Sequence, residues 1–437
     1  LAMAAPAKKD ILIIGGGFAG FVVARHFKKH HNVTLVDAKE YFEYTPGILR
    51  AFVHPSHLDA LTFKYQPVLE AHMGVRFVWG EVLSVDEQGR SVVYQAIDGG
   101  AQAQLNFDYC VIASGCNFGL FHKMGESLWF PTVWEQARAE SDWKQHDERM
   151  LEGRRNHILE EYNYLKGVNQ KSGSLLIVGA GFIGVEWATE IDEYFPNIKI
   201  TLCDMLPKCL GPLPDKAKNY CQAYMDRVGI NCKYGVKFNP NDPEGYKVLG
   251  ISKPDKTYIS TGFKSSCWFM PKQVMSQYNP LEADEIEKDM RKKGPAGGGW
   301  ICVDKNLRVV KKNSQGKTEL FGADEKGRSR FYAVGDCNMV DGVPMPKISY
   351  PGEEQAAVAC RNIETTVKMV NGSSTGCFTV PKFWPIIPCF GSLELTDMWF
   401  PWGSGMFATS LGSQDACFVI AATMTPGSGY MVVWGVI

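Results

Sequence analysis

Cysteine is missing from the first 109 of the 437 residues, and none of the 13 that follow stands in a C-x-x-C pair. Sparse and scattered, they look like reduced thiols rather than an oxidised disulfide framework or a zinc site. Histidine is missing after His157, which removes any His/Cys cluster built from neighbouring positions, and no metal is expected. An excess of charge is missing too. Lys plus Arg count 46 and Asp plus Glu 47, without the basic surplus that nucleic-acid binding requires. Lys and Arg are absent from 383 to 437, where ten of 55 residues are aromatic. An uninterrupted spanning helix is also lacking. The longest uncharged stretch, 416–437, is long enough to cross a bilayer. Pro426-Gly427-Ser428-Gly429 breaks its middle, so it reads as two β-strands around a turn.

What is present describes a globular protein with 45% apolar and 21% charged residues, long enough for about two to four domains. Residues 1–9 (LAMAAPAKK) are small, apolar and basic. They read as the remnant of a cleaved organellar leader, mitochondrial or plastid, against the plainer alternative of an ordinary chain start.

Two stretches share one design. DILII (10–14) runs into Gly15-Gly16-Gly17, a helical pattern follows from Phe18, and VTLVD ends at Asp37. SLLIV (174–178) runs into Gly179-Ala180-Gly181, a helix reaches Tyr194, and KITLCD ends at Asp204. Each is a strand, glycine turn, helix and strand, the βαβ unit of a dinucleotide-binding domain. In Gly15-x-Gly17-x-x-Gly20, the first glycine permits the tight turn and the second admits a pyrophosphate. Gly20 lets helix and strand pack closely. The amides of Phe18 and Ala19, beside Gly16, face the phosphates at the positive end of the helix dipole. Asp37 stands 20 residues past Gly17, where a carboxylate accepts ribose hydroxyls. Gly179, Gly181, Gly184 and Asp204 repeat the pattern, the acid favouring NADH over NADPH.

Elsewhere, 74–113 alternates apolar and polar residues like a small β-meander, and 133–171 reads as a solvated helical excursion. The fold class expected is α/β, with two Rossmann-like domains and a C-terminal β-rich module. FYAVGDC (331–337) is an apolar strand ending in Gly335-Asp336, and FDYCVIASG (107–115) ends in Ala113-Ser114-Gly115.

With these markers the sequence resembles the two-dinucleotide-binding-domain flavoproteins. YFEYTPGILRAF (41–52), the KIxY of Lys347–Tyr350, QAAVACRNI (355–363) and SLGSQDA (410–416) sharpen the likeness. They are most similar to type II NADH dehydrogenases and, more closely, to apoptosis-inducing-factor-like quinone reductases. The resemblance implies an FAD domain in two segments, 8–132 and 300–375, and an NAD domain at 172–299. It leaves 133–171 as a linker and 376–437 as the C-terminal module. It further implies that Gly335 and Asp336 hold the flavin's ribityl chain and that Arg50 and Val82 contact FAD. Glu186 would reach the flavin–nicotinamide interface, an exposed helix carboxylate being the alternative. Lys347 would stabilise the reduced flavin, with a surface lysine as the alternative. The implied activity is hydride transfer from NADH to FAD, then electrons to a quinone. A soluble reductase of a small protein or radical, and a structural subunit of an organellar complex, stand as rivals. The redox cysteines of the disulfide reductases are absent after the first βαβ unit, as are the bacterial Ala-Gln-x-x-Ala quinone motif and a myristoylation start. A lipid anchor is therefore not expected. Trp384, Phe390, Trp399, Phe400, Trp402 and Phe407 offer a quinone channel or a peripheral membrane or protein-complex contact, with sheet packing against the flavin domain as the alternative.

Overall fold

A short run of branched apolar residues that stops at a glycine can be buried on both faces, and both such runs become central parallel strands. In the computed structural model, the elements that carry the fold begin with β1 (Asp10–Ile14), α1 (Phe18–Phe27), β2 (Asn32–Asp37) and α2 (Ile48–Val53). Then come β3 (Arg76–Asp86), β4 (Ser91–Ala96), β5 (Gln102–Asn106) and β6 (Tyr109–Ile112). After α3 (Leu151–Gln170) follow β7 (Ser174–Val178), α4 (Phe182–Tyr194), β8 (Lys199–Asp204), α5 (Asp215–Val228), β9 (Asn231–Tyr234) and β10 (Lys256–Ile259). β11 (Phe331–Ala333), α6 (Ser349–Val370), β12 (Gly405–Leu411), β13 (Asp415–Ala421) and β14 (Tyr430–Val436) complete the set. The structure describes residues 8–88, 90–117, 147–211, 213–239, 242, 244–262, 264–278, 299–342, 347–371, 376–377, 390–391, 395–398, 405–421 and 430–436.

Contacts divide the chain into two units, one formed by 1–40, 64–116 and 265–403, the other by 41–63, 117–264 and 404–437. The first unit is built on a seven-stranded sheet in the order β11-β6-β1-β2-β3-β4-β5. β1 pairs in parallel with both β2 and β6, and β6 with β11. Ile11 to Ile14 are at most 4% exposed, so β1 is the spine of this core. β3 outlasts its parallel partner and turns into an antiparallel meander with β4 and β5, kinked by a bulge between Val82 and Ser84. The alternating pattern placed FDYCVIA in that meander. Instead Tyr109–Ile112 is buried throughout and lies between β1 and β11, because a strand covered on both faces needs no polar alternation.

The second unit carries the all-parallel sheet β9-β8-β7-β10 and the antiparallel sheet β12-β13-β14. The expected pair of C-terminal strands is present as β13 and β14, while the Pro426–Gly429 turn lies outside the described residues. Their sheet belongs to the unit of the second glycine turn: Phe407 stacks on Phe182 of α4, and the Tyr220 hydroxyl of α5 donates to Asp415. The sheet thus packs on α4 and α5, whereas earlier in the module Thr396 accepts from Asn306 and Asn362 of the first unit, so the alternative of packing on the flavin side holds for that segment.

Residues 133–146 also lie outside the described residues, but α3 corrects the expectation of a solvated helix. Its inner face buries Arg154, His157, Ile158 and Leu165. Arg154 donates to both oxygens of Glu43 at 2.7 and 3.1 Å, and His157 pairs with Glu148. Charged residues can leave water when each meets an opposite charge in hydrogen-bonding geometry, so charge density alone misplaced this face.

Candidate dinucleotide sites

Gly15 adopts φ +100°, open to glycine, and a Cβ there would run into the Ala113 carbonyl at the end of β6. A Cβ on Gly20 would fall on the Gly15 carbonyl oxygen, so α1 lies against the turn only because residue 20 has no side chain. Gly17 differs: nothing lies within 4 Å of the place its Cβ would take. It begins α1 without a side-chain cap, leaving the helix's positive end to an anion. Asp37 ties the turn to the loop after β2, its Oδ2 accepting from Gly16 N–H at 2.6 Å and its Oδ1 from Lys39 N–H at 2.7 Å. Burial pushes its carboxyl above the usual range. A close-packed glycine cradle, open at its second glycine and closed by an acid, fits the adenosine diphosphate half of FAD.

Gly335 and Asp336 form a turn directly after β11, with Gly335 at φ +76°. A Cβ on Gly335 would stand 3.3 Å from Ala19 Cβ and 3.9 Å from Gly352 Cα, so the beginnings of α1 and α6 converge on this turn. The Gly335 amide donates to Gln355 Oε1 at 2.8 Å, and Gln355 also receives Asn338 Nδ2. Burial raises the Asp336 carboxyl to about 6, opposed by Lys347 and by the Cys116 thiol 3.6 Å away. Lys347 is no surface lysine. Its ammonium donates to the Asn338 carbonyl at 2.6 Å and lies 4.1 Å from the centre of the Trp300 ring, and burial lowers its affinity for a proton.

The second turn reproduces the first within its own unit. Gly179 has φ +107°, a Cβ on Gly184 would fall on the Gly179 carbonyl, and Gly181 faces open space. Asp204 accepts from Ala180 N–H at 2.7 Å and from Leu206 N–H at 2.8 Å. The match extends to the hydrogen bonds, since each acid binds the middle residue of its turn and the residue two places on. With a carboxylate in this position, we expect NADH to reduce the protein at least ten times faster than NADPH at equal concentration. Stopped-flow reduction with each nucleotide checks this, and comparable rates would contradict it.

Glu186, two residues after Gly184, is no ordinary exposed carboxylate. Its Oε1 accepts from the Ser410 amide at 3.0 Å, and its carboxyl is raised to about 8. Burial is the main cause and Glu190 adds to it, while Ser410 and Arg50 act the other way. Arg50 belongs to α2. Its Nη2 meets Glu190 Oε1 at 2.7 Å and donates to the Gly412 carbonyl at 2.9 Å, and its Nε also donates to Glu190. The donors that the resemblance assigns to FAD are thus partly bound to protein. Val82 is buried on β3, opposite Tyr94 and beside the bulge. Sequence reasoning missed Gln355, Cys116, Glu190 and Ser410 as site residues. Gln355 and Ser410 lie in segments singled out for likeness, but nothing local marks which side chain they meet. Trp384, Trp399, Phe400 and Trp402 lie outside the described residues, and of Phe390 only the backbone is described.

The family model for pyridine nucleotide-disulphide oxidoreductases matches residues 9–270. Apoptosis-inducing factor homolog B of Dictyostelium discoideum is 25% identical over 431 residues, 96% of this chain and 92% of that protein. Type II NADH:quinone oxidoreductase of Staphylococcus aureus is 23% identical over 394 residues, 84% of each. Among solved structures, the sulfide:quinone oxidoreductase of Aquifex aeolicus covers 98% of this chain and 87% of its own, with a TM-score of 0.63 at 15% identity.

Proposed function

Because the chain belongs to the pyridine nucleotide-disulphide oxidoreductase family, we propose that it is an FAD-dependent NADH dehydrogenase delivering electrons to a quinone. One observation carries this reading: two glycine turns, each open at its second glycine and each tied to an acid at the end of the next strand. The D. discoideum and S. aureus relatives, the latter named for NADH and quinone, extend over most of the chain and support the same chemistry.

Gly15, Gly16, Gly17, Gly20 and Asp37, with the amides of Phe18 and Ala19, hold the adenosine diphosphate end of FAD. Gly335 and Asp336 hold its ribityl chain, and Val82 and Arg50 add contacts in this assignment. Gly179, Gly181, Gly184 and Asp204 hold NADH. FAD, when bound, supplies the two-electron chemistry, taking a hydride from NADH and passing electrons to the acceptor. The protein supplies positioning and charge. Glu186 holds its proton at neutral pH and would relay it at the flavin–nicotinamide interface as a general acid or base. Lys347 supplies a half-buried cation beside Asp336, able to offset negative charge gathering on the flavin. Burial pushes the thiols of Cys116, Cys267 and Cys337, the cysteines around Lys347, well above the thiolate range, so thiolate chemistry is not assigned to these three.

The segment 383–437 is the proposed contact with a membrane surface or a larger complex, in an organelle. Among the described residues no helix is long and apolar enough to cross a membrane. Steady-state NADH oxidation tests the acceptor. Short-chain ubiquinone or menaquinone analogues are expected to turn over at least ten times faster than a ferredoxin-type protein or an ascorbyl radical source. The reverse order would assign the chain to soluble electron transfer.

A further inference from the structure

We infer that the hairpin formed by β12 and β13 is the positioning element of Glu186, acting through Ser410. In its bearing on turnover this rests on the function proposed above; in its geometry it does not.

α4 presents Phe182, Glu186, Glu190 and Glu193 at steps of four, four and three, a single stripe on the helix. Three carboxylates along one stripe repel one another unless donors meet them, and the hairpin bears on each. Phe407 stacks on Phe182 with ring centres 5.7 Å apart and planes within 8°. The Ser410 amide donates to Glu186. Arg50 bridges Glu190 to the Gly412 carbonyl, and Ser413 donates to Glu193 from both its amide and its hydroxyl. On the far side of the turn, Asp415 accepts from Tyr220 of α5 at 2.8 Å.

The topology explains why the hairpin has donors to give. β12 is the outer strand of β12-β13-β14, so one edge carries amides outside the ladder, and Ser410 aims one of them at Glu186. The turn is shaped for the fit, because Gly412 has φ +65° and a Cβ there would strike Glu193 Oε2. The groups facing the Glu186 carboxyl are therefore the Ser410 amide and hydroxyl, Glu190 on its own helix and Arg50 on α2. The two Ser410 donors favour the charged carboxylate, and Arg50 acts in the same direction.

Infrared titration of the protonated carboxyl band that disappears in Glu186→Gln reads this contact without activity. In the wild type it is expected to titrate near 8. Ser410→Ala keeps the amide and loses the hydroxyl, so the midpoint should rise by about half a unit to one unit, and Ser410→Thr should restore it. The pH profile of kcat/KM for NADH should move by the same amount, with FAD content and thermal midpoint unchanged. An unmoved carboxyl midpoint in Ser410→Ala, or a Thr variant that behaves like Ala, overturns the inference. A moved midpoint in a protein that oxidises no NADH supports the placement and removes only the proposed function.

Discussion

Gly17→Val yields a folded protein without flavin. Residue 17 has φ −63°, ordinary for any L-amino acid, and a Cβ there meets no protein atom within 4 Å. The fold has no objection to a side chain at this place. A diphosphate does, because the branched carbons occupy the approach to the first turn of α1, where the amides and helix dipole act within one turn. FAD affinity should fall by on the order of 100-fold or more, and the purified variant should be colourless. Absorbance per protein and titration with added FAD measure it. Gly20→Ala is the control with the opposite physics: its methyl collides with the Gly15 carbonyl, so it should lose stability as well as flavin. A fully yellow Gly17→Val protein would remove the first turn from the cofactor site.

Glu186→Gln should keep FAD and lose turnover by about 100-fold, the scale of a lost general acid or base. Gln can still accept from the Ser410 amide, so geometry is retained while the proton is lost. Stability supplies a second, independent readout. The folded carboxyl is raised to about 8 from an ordinary 4.5, so between those values the folded protein binds a proton that the unfolded chain has released. Stability must then fall as pH rises from about 4.5 to 8, and the Gln variant must lack that component. The two proteins should be about equally stable near pH 4, with Gln ahead by on the order of 4 kcal/mol at pH 8. Denaturant unfolding at the two pH values checks the sign. Wild-type turnover with normal flavin content in the Gln variant would end the catalytic role assigned to Glu186.

The parts of the fold that could be read from sequence are those set by neighbours along the chain. β1, β7, α4 and β8 fall on the residues their patterns marked, because glycine turns bound them and their apolar runs are short. The close packing of Gly20 on the Gly15 carbonyl was legible for the same reason, since it lies within one turn, whereas Gly15 meets Ala113 on a distant segment and Gly17 meets no protein atom. Long-range pairings were not legible. Arg50 meets Glu190 across 140 residues and Gly412 across 362, and no local signal distinguishes those partners from FAD phosphates. Arg154 buries itself on Glu43 across 111 residues, which turned a charged stretch into an inner face. The C-terminal strands were visible as strands, but their seat depends on distant partners, the glutamate stripe of α4 and Tyr220 of α5.

Anaerobic titration of the purified protein with NADH, followed through flavin absorbance and then by addition of a short-chain quinone, tests the central claim most directly. The account predicts a yellow protein bleached by one equivalent of NADH per flavin and restored by one equivalent of quinone. Flavin that NADH leaves oxidised, or reduced flavin that quinone does not reoxidise, would contradict it.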